Sequence, residues 1–259
     1  MPPPTRSLRR LHAFTLMEIL VVVAIVLVLS AIIFPVMRTV KMRGYRVQAT
    51  SAMKQLGSAT QTYTSQNDGL IPAEDSKGTD TWAAAADPVN AAAWYNSLPK
   101  LLGTRTVGDF ALDPKGFYTK ENLIYLPGAT YPDSDKKLLR PLFAIAINTK
   151  LQRKDAEGKK SPLKVANIPE TARTVLFLEQ GLPSEKKSHP TQSKYDGSAK
   201  GSARSFVARY GGQGLILFVD GHSEEVSPAD LLTESGQFPF PPTDVIWTKN
   251  REENPNKGG

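Results

Sequence analysis

The distribution of hydrophobic and polar residues sets one stretch of the chain apart from the rest. Residues 19–37 are nineteen consecutive positions without a charge, and a single carboxylate, Glu18, precedes them. In a helix that rises about 1.5 Å per residue, such a run is roughly 28 Å long, close to the thickness of a bilayer's hydrocarbon core. The pattern therefore predicts a membrane-spanning helix over residues 14–37.

After Arg38 the pattern changes to that of an amphipathic helix. Apolar residues recur at spacings of four and three, at Tyr45, Ala49, Ala52, Leu56, Ala59 and Tyr63. Residues with this spacing share one face of a helix. We expect this face of residues 38–68 to pack on the chain's own globular domain; a coiled coil with a partner is the alternative. Gly69 suits the left-handed residue that ends a helix, so the helix should end near Asn67.

Residues 69–236 alternate short apolar runs with polar connections, which predicts a globular domain with a mostly antiparallel sheet. The candidate strands are residues 122–126, 142–148, 174–179, 215–219 and 222–226. Between the last two strands, Asp220 and Gly221 favour a type I′ hairpin turn, in which both residues take a positive φ. The predicted fold class is therefore α+β, with one long amino-terminal helix packed on the sheet.

The remaining segments are predicted to be irregular or short. A helix within residues 90–103 should break at Pro99. Polar composition predicts a loop at residues 70–88 and a mobile loop at 184–205. Residues 237–259 form a Pro-rich and polar tail, for which we expect a disordered end.

Composition narrows the class of protein. The 259 residues contain no cysteine, which excludes disulfides, zinc–thiolate sites and a cysteine nucleophile. The net charge of +7 falls to +4 when the three arginines of residues 1–13 are left out. Because the other basic residues are scattered among acidic ones, we expect no binding of nucleic acid.

The amino-terminal flank indicates how the chain is oriented in the membrane. Arg6, Arg9 and Arg10 precede the apolar segment, which predicts a cytoplasmic amino terminus and a translocated globular domain. An ordinary cleaved signal peptide is the alternative. Against it, the apolar run is longer than a typical signal core, and no small-x-small cleavage site follows.

Residues 13–18, with the sequence AFTLME, lead directly into the apolar run. This arrangement resembles the class III leader of type IV pilins and type II secretion pseudopilins. In that family a prepilin peptidase removes the basic leader, and the new amino-terminal residue is N-methylated. The resemblance implies a leader at residues 1–13, cleavage between Ala13 and Phe14, and methylation of Phe14. The family normally has Gly at the position of Ala13, so we expect slower processing at worst.

The register of the resemblance extends to two further residues. After cleavage Glu18 becomes the fifth residue and Pro35 the twenty-second, where family members commonly have Glu and a helix-kinking Pro. A carboxylate at the edge of the hydrocarbon is costly and usually functional. The free amine of Phe14 is equally costly without a partner in such surroundings. We therefore expect Glu18 to pair with Phe14 of a neighbouring subunit and to set the register of assembly.

A second resemblance lies near the carboxyl terminus. Tyr210 is followed by nine residues and then by Asp220 and Gly221. This spacing is similar to the His-x9-Asp-Gly motif of a group of pilin-like proteins abundant in planctomycetes and verrucomicrobia. Because Tyr210 stands where that group usually has His, we expect a structural turn rather than a metal or catalytic site.

The sequence predicts no catalytic site and no cofactor. His189 and His222 have no partner at the spacing of metal ligands. Residues 133–135 offer carboxylates that suit Ca²⁺, but the Gly and terminal Glu of a calcium-binding loop are missing, so calcium is possible without an assignable site. Glu179 and Asp220 are expected to be solvated acids at strand ends.

The resemblance implies a structural, non-enzymatic protein with a pilin-like fold, a subunit of a type II secretion pseudopilus. Its expected partners are the prepilin peptidase, other pseudopilin subunits, the inner-membrane platform of the secretion system and the membrane itself. The expected location is the bacterial inner membrane, with the globular domain in the periplasm. A type IV pilin for adhesion, motility or DNA uptake is the first alternative. A membrane-anchored periplasmic binding protein or enzyme is the second.

Overall fold

The computed structural model describes residues 15–75, 78–133, 135–154, 160–192 and 195–257. The chain divides into two compact units, Met1–Arg43 and Gly44–Gly259. A single helix, α1 (Leu16–Gln66), supplies residues to both units. The predicted long amino-terminal helix is therefore confirmed.

In the first unit, the apolar part of α1 is exposed to solvent. Its large side chains are about half exposed or more, as at Leu20, Ile25, Leu29 and Ile33. The helix is long enough and apolar enough to cross a membrane. The backbone of Pro35 lies within α1, and the helix continues past this residue.

In the second unit, α1 buries the face that the periodicity predicts. Ala49, Ala52, Leu56 and Ala59 are buried, and Met53 adds to the same face. This confirms that the stripe packs on the chain's own domain.

The helix ends where Gly69 and its neighbour Asp68 adopt positive φ angles of 77° and 51°. The Gly69 N–H donates to the carbonyl of Thr64 at 2.8 Å, which satisfies one of the last helical acceptors.

The described residues of the second unit also contain four short helices and seven strands. The helices are α2 (Trp82–Ala86), α3 (Trp94–Leu101), α4 (Lys136–Leu139) and α5 (Pro228–Leu231). The strands are β1 (Ile145–Asn148), β2 (Gln152–Lys154), β3 (Lys160–Pro162), β4 (Val175–Glu179), β5 (Lys200–Gly201), β6 (Gly214–Phe218) and β7 (Ser223–Val226). Short 3-10 helices cover Pro88–Asn90, Asp109–Leu112, Gly116–Tyr118, Thr149–Leu151, Val165–Asn167 and Ala203–Ser205.

Five strands form one mixed sheet with the order β5-β1-β4-β6-β7. The pairs β1–β4, β4–β6 and β6–β7 are antiparallel, and β1–β5 is parallel. Strands β2 and β3 form a separate antiparallel pair. The α+β class and a mostly antiparallel main sheet are therefore confirmed.

Both faces of the sheet are covered, because β1, β4 and β6 are buried along their whole length. One hydrophobic cluster joins the buried face of α1 to aromatic residues such as Trp94, Phe143 and Phe177. A second cluster contains Phe206 and Trp247. Alternate residues of β1 and β6 supply the two clusters, as the two-residue period of a strand requires. Strand β4 departs from this alternation, because Leu176 and Phe177 both lie in the first cluster, next to a shift in the pairing register with β6.

Two predicted loops are ordered by specific contacts. Residues 70–88 contain α2, in which Trp82 is buried. Within 184–205, Gln192 and Tyr195 are buried, and both donate to the carbonyl of Phe206, each at 2.8 Å. Polar side chains that bind backbone carbonyls therefore hold this segment, so the expectation of a mobile loop was wrong for its described residues.

The expected disorder at the end of the tail was also wrong for residues 237–257. Phe238 and Trp247 are buried in the second cluster. The Arg251 Nε donates to both carboxylate oxygens of Glu170, at 2.8 and 2.9 Å. Asn256 bonds to both the N–H and the carbonyl of Phe238. The buried aromatic residues and the Arg251–Glu170 pair fasten the tail to the domain, and Asn256 joins the two ends of the tail.

Two further predictions about secondary structure differ from the structure. Residues 122–126 form turns rather than a strand, because the Asn122 side chain donates to the Phe117 carbonyl and accepts from the Ile124 N–H. Helix α3 continues through Pro99 to Leu101. The missing N–H of Pro99 leaves the Tyr95 carbonyl without its helical donor, and that carbonyl accepts from the Val107 N–H at 3.3 Å instead, so the helix tolerates the proline.

The predicted hairpin at Asp220-Gly221 is confirmed, but its turn type is not. Asp220 is not among the described residues with positive φ, whereas Gly221 has φ 95°. The Gly221 N–H donates to the Phe218 carbonyl at 3.0 Å, and the Phe218 N–H donates to the His222 carbonyl at 2.9 Å. This is a three-residue loop that closes with a left-handed glycine, and only the second residue of the pair needs a positive φ.

The hairpin packs closely on α1 within the second unit. A Cβ built on Gly57 would lie 2.9 Å from the carbonyl oxygen of Gly221. At Gly44, on the same helix, a Cβ would have no neighbour within 4 Å. The absence of a side chain at Gly57 therefore allows the helix and the hairpin to approach.

This contact gives a matched pair of substitutions. We expect Gly57→Ala to lower the free energy of unfolding by about 1 kcal/mol or more, because overpacking against backbone outweighs the gain in helix propensity. Gly44→Ala should leave it unchanged or raise it by up to about 1 kcal/mol. Urea denaturation of the full chain in mild detergent, followed by tryptophan fluorescence, measures both. Equal stabilisation by the two substitutions would contradict the close approach.

Candidate functional site

The first candidate site is the start of α1. The Thr15 N–H and hydroxyl both donate to Glu18 Oε2, at 2.8 and 2.9 Å, and the Glu18 N–H donates to the Thr15 hydroxyl at 3.2 Å. This reciprocal arrangement is a capping box, which satisfies N–H groups that an α-helix leaves without internal partners. Glu18 therefore has a local role in starting the helix. This role was not predicted, although the spacing of Thr15 and Glu18 indicates it.

The predicted cleavage and methylation positions lie outside the described residues. Ala13 and Phe14 precede residue 15, where the described chain begins. The expected pairing of Glu18 with the Phe14 amine of a neighbouring subunit thus stays a prediction.

The second candidate site surrounds Tyr210, the first residue of the carboxyl-terminal motif. Its hydroxyl donates to Glu179 Oε1 at 3.0 Å, and the Leu215 N–H donates to Glu179 Oε2 at 2.9 Å. Arg209 Nη1 also lies 3.1 Å from Glu179 Oε1. Glu179 ends β4 and is completely buried, so the expectation of a solvated acid was wrong for this residue.

Arg209 connects this carboxylate to a second one. Its Nε and Nη2 donate to the two oxygens of Glu185, at 2.8 and 2.6 Å, which is the paired geometry that guanidinium and carboxylate groups favour. It also donates to the carbonyls of Ala144 and Gln180, at 3.4 and 2.7 Å. The Arg209 side chain is only 3% exposed. One guanidinium therefore holds three segments of the chain together in the interior.

The electrostatics of this cluster follow from burial and charge. Burial raises the pKa of the Glu179 carboxyl, and Arg209 with the other donors opposes that rise. Burial lowers the pKa of Arg209, but the Glu179 and Glu185 carboxylates outweigh it and hold that pKa above its ordinary value. Burial, followed by the charge of Glu179, raises the pKa of the Tyr210 hydroxyl. Tyr210 therefore remains a donor.

The cluster is suited to holding structure rather than to catalysis. Each oxygen of Glu179 accepts from at least one donor within the chain, and so does each oxygen of Glu185. A general base or a metal ligand needs an accessible lone pair, whereas these carboxylates are buried and already bound. The arrangement agrees with the expected structural role of Tyr210.

The other end of the motif contacts α1. Gln61 Nε2 donates to the carbonyl of Asp220 at 2.9 Å, beside the Gly57–Gly221 approach. Strand β6 therefore lies between two attachments, the buried cluster at Tyr210 and α1 at the hairpin. The nine intervening residues comprise a tight turn, the five residues of β6 and one loop residue, which gives the spacing a physical explanation.

The other polar residues considered in the sequence do not assemble into a site. His222 Nδ1 lies 2.7 Å from Asp220 Oδ1, and its ring stacks on Phe218 with the ring centres 4.4 Å apart. Asp133 and Asp135 line an open surface depression. Among the described residues, no group of three or more His, Asp or Glu is arranged to hold a metal ion.

Comparisons with protein-family models, with curated proteins and with solved structures find no match to this chain.

The buried cluster generates a prediction about stability. Arg209→Ala leaves two buried carboxylates without their shared cation, so we expect the free energy of unfolding to fall by about 3–5 kcal/mol. Arg173→Ala is the control, because Arg173 pairs with Asp244 through side chains that are 48% and 87% exposed. That loss should be below about 1 kcal/mol. Similar losses in urea denaturation of the two full-length variants would contradict the structural role of the cluster.

Proposed function

We propose that this chain is a structural, non-enzymatic subunit of a pilus-type fibre, and that the fibre is a type II secretion pseudopilus. Under this proposal the prepilin peptidase removes residues 1–13, and Phe14 becomes the methylated amino terminus. The subunit first resides in the bacterial inner membrane with its globular domain in the periplasm. It then joins other copies on the secretion platform, through the apolar part of α1.

The observation that carries the proposal is the division of α1 into two parts with different surroundings. Residues 45–63 bury a face in the chain's own domain, whereas the apolar residues before Arg38 are exposed. Burial of one large aliphatic side chain contributes about 1.5–3 kcal/mol, so a dozen such side chains would cost tens of kcal/mol in water. Lipid, or the same segment of other copies, is the environment that suits this surface.

Glu18 supports assembly over simple anchoring. An anchor requires apolar length, and a carboxylate at the edge of the apolar segment adds a cost. The capping box accounts for part of that cost, since it gives Glu18 Oε2 two donors from Thr15. The negative charge itself still favours a cation, and the amine of Phe14 in a neighbouring copy is the cation we propose.

The processing step has a direct test. We expect mass spectrometry of the protein purified from the membrane of a host with a prepilin peptidase to find residues 14–259 with one added methyl group on Phe14. In a host without the peptidase, residues 1–13 should remain. An intact Met1 in the first host, or a cut beyond Pro35, would refute the pilin-type assignment.

The role of Glu18 has a separate test that distinguishes its charge from its capping function. Gln also serves at the last position of a capping box, so Glu18→Gln keeps the helix start and removes only the charge. We expect this variant to insert into the membrane normally but to form no fibres visible by electron microscopy. Thr15→Ala is the control, because it removes the hydroxyl of the cap and keeps the charge; it should still assemble. Normal fibres from Glu18→Gln would contradict the proposed pairing.

A further inference from the structure

A run of basic residues follows the apolar part of α1. Arg38, Lys41, Arg43 and Arg46 lie within nine residues, and no acidic residue occurs between Glu18 and Asp68. Lys41 and Arg43 are exposed on the helix. The run begins where the nineteen uncharged residues end, at a distance from Glu18 that equals the thickness of a bilayer's hydrocarbon core.

Arg46, the last of these four residues, belongs to the second unit. It forms an ion pair with Glu225 of β7, within the second unit. The three basic residues before it belong to the first unit, with the apolar segment. We group the three positions of the first unit, Arg38, Lys41 and Arg43, as the basic ring.

The geometry of the basic ring favours a planar partner over a one-sided one. Successive residues of an α-helix are rotated by about 100°, so Lys41 and Arg43 point about 160° apart around the axis. Along the axis the whole ring covers only about 7.5 Å. A protein that packs on one side of the helix would meet Lys41 or Arg43, whereas a layer that surrounds the helix meets both. The headgroup layer of a bilayer is roughly 5–8 Å thick on each side, which matches this depth.

Charge identifies the chemistry of that layer. Guanidinium and ammonium groups bind phosphate oxygens, and basic residues next to a membrane span attract anionic lipids. Basic residues directly after a span oppose translocation of that flank, so these positions are unfavourable for the proposed orientation of the chain. A function at the membrane surface offsets that disadvantage.

We propose that the basic ring binds the phosphate groups of anionic phospholipids in the leaflet around the carboxyl-terminal end of the span. This binding fixes how deeply the subunit sits before it is extracted for assembly. The inference rests on the membrane-spanning part of the proposed function, and it requires neither cleavage at Ala13 nor the pairing of Glu18.

The test uses full-length protein purified in mild detergent and titrated with phosphatidylglycerol or phosphatidylcholine, with bound lipid counted by native mass spectrometry. We expect the parent chain to bind phosphatidylglycerol at least tenfold more tightly, and the preference to weaken as ionic strength rises. Lys41→Gln/Arg43→Gln should lose most of that preference. The charge-preserving variant Lys41→Arg/Arg43→Lys should keep it.

Two further measurements keep the outcomes distinct. Lys186→Gln/Lys187→Gln is the matched control, because it removes two exposed charges from the globular domain and should leave the lipid preference unchanged. An unchanged preference in Lys41→Gln/Arg43→Gln, or its equal loss in the control, would overturn the proposal. If the same ring variant instead lost only its association with other copies, a protein partner would replace the lipid. Recovery of the parent chain in the soluble fraction of cells would refute the membrane span itself.

Discussion

The apolar part of α1 is the constraint on which the rest of the molecule depends. Its side chains are exposed, and the chain supplies no cover for them within the described residues of the first unit. A surface of this kind requires lipid or other copies of itself. The charges are placed at its two limits, with Glu18 before the uncharged run and the basic ring after it, so the polar groups define how far the apolar environment extends. Everything proposed about insertion and assembly follows from that placement.

In the second unit, a globular domain is held on the same helix without disulfides. Strand β6 is attached at one end to the buried Glu179–Arg209–Glu185 cluster and at the other to α1, through Asp220 and Gly221. The carboxylates of the cluster are bound by donors from within the chain, so the motif that begins at Tyr210 stabilises the fold.

Local sequence patterns predicted much of this fold, and contacts between residues far apart in the chain account for the parts that these patterns missed. The apolar run, the stripe up to Tyr63 and the β6–β7 hairpin follow from periodicity and turn chemistry within a few residues. The buried cluster joins Arg209 to acids 24 and 30 residues away, and no local pattern encodes such a pair. The order of segment 184–205 could not be predicted from apolar periodicity, because side-chain hydrogen bonds to carbonyl groups hold this segment in place. The turn at Asp220 was misassigned because the dipeptide alone does not determine loop length.

The most direct test of the central claim, that the apolar part of α1 brings copies of this chain together, is cysteine cross-linking in membranes. The chain has no cysteine of its own, so introduced pairs report only on the chosen positions. One cysteine is kept at Leu16 and a second is moved stepwise from Val22 to Ile33. Because stacked helices are shifted along the fibre axis, we expect ladders of oxidised multimers at a few positions one helical turn apart, and their loss in Glu18→Gln. Monomers at every position, or equal cross-linking everywhere, would contradict the claim.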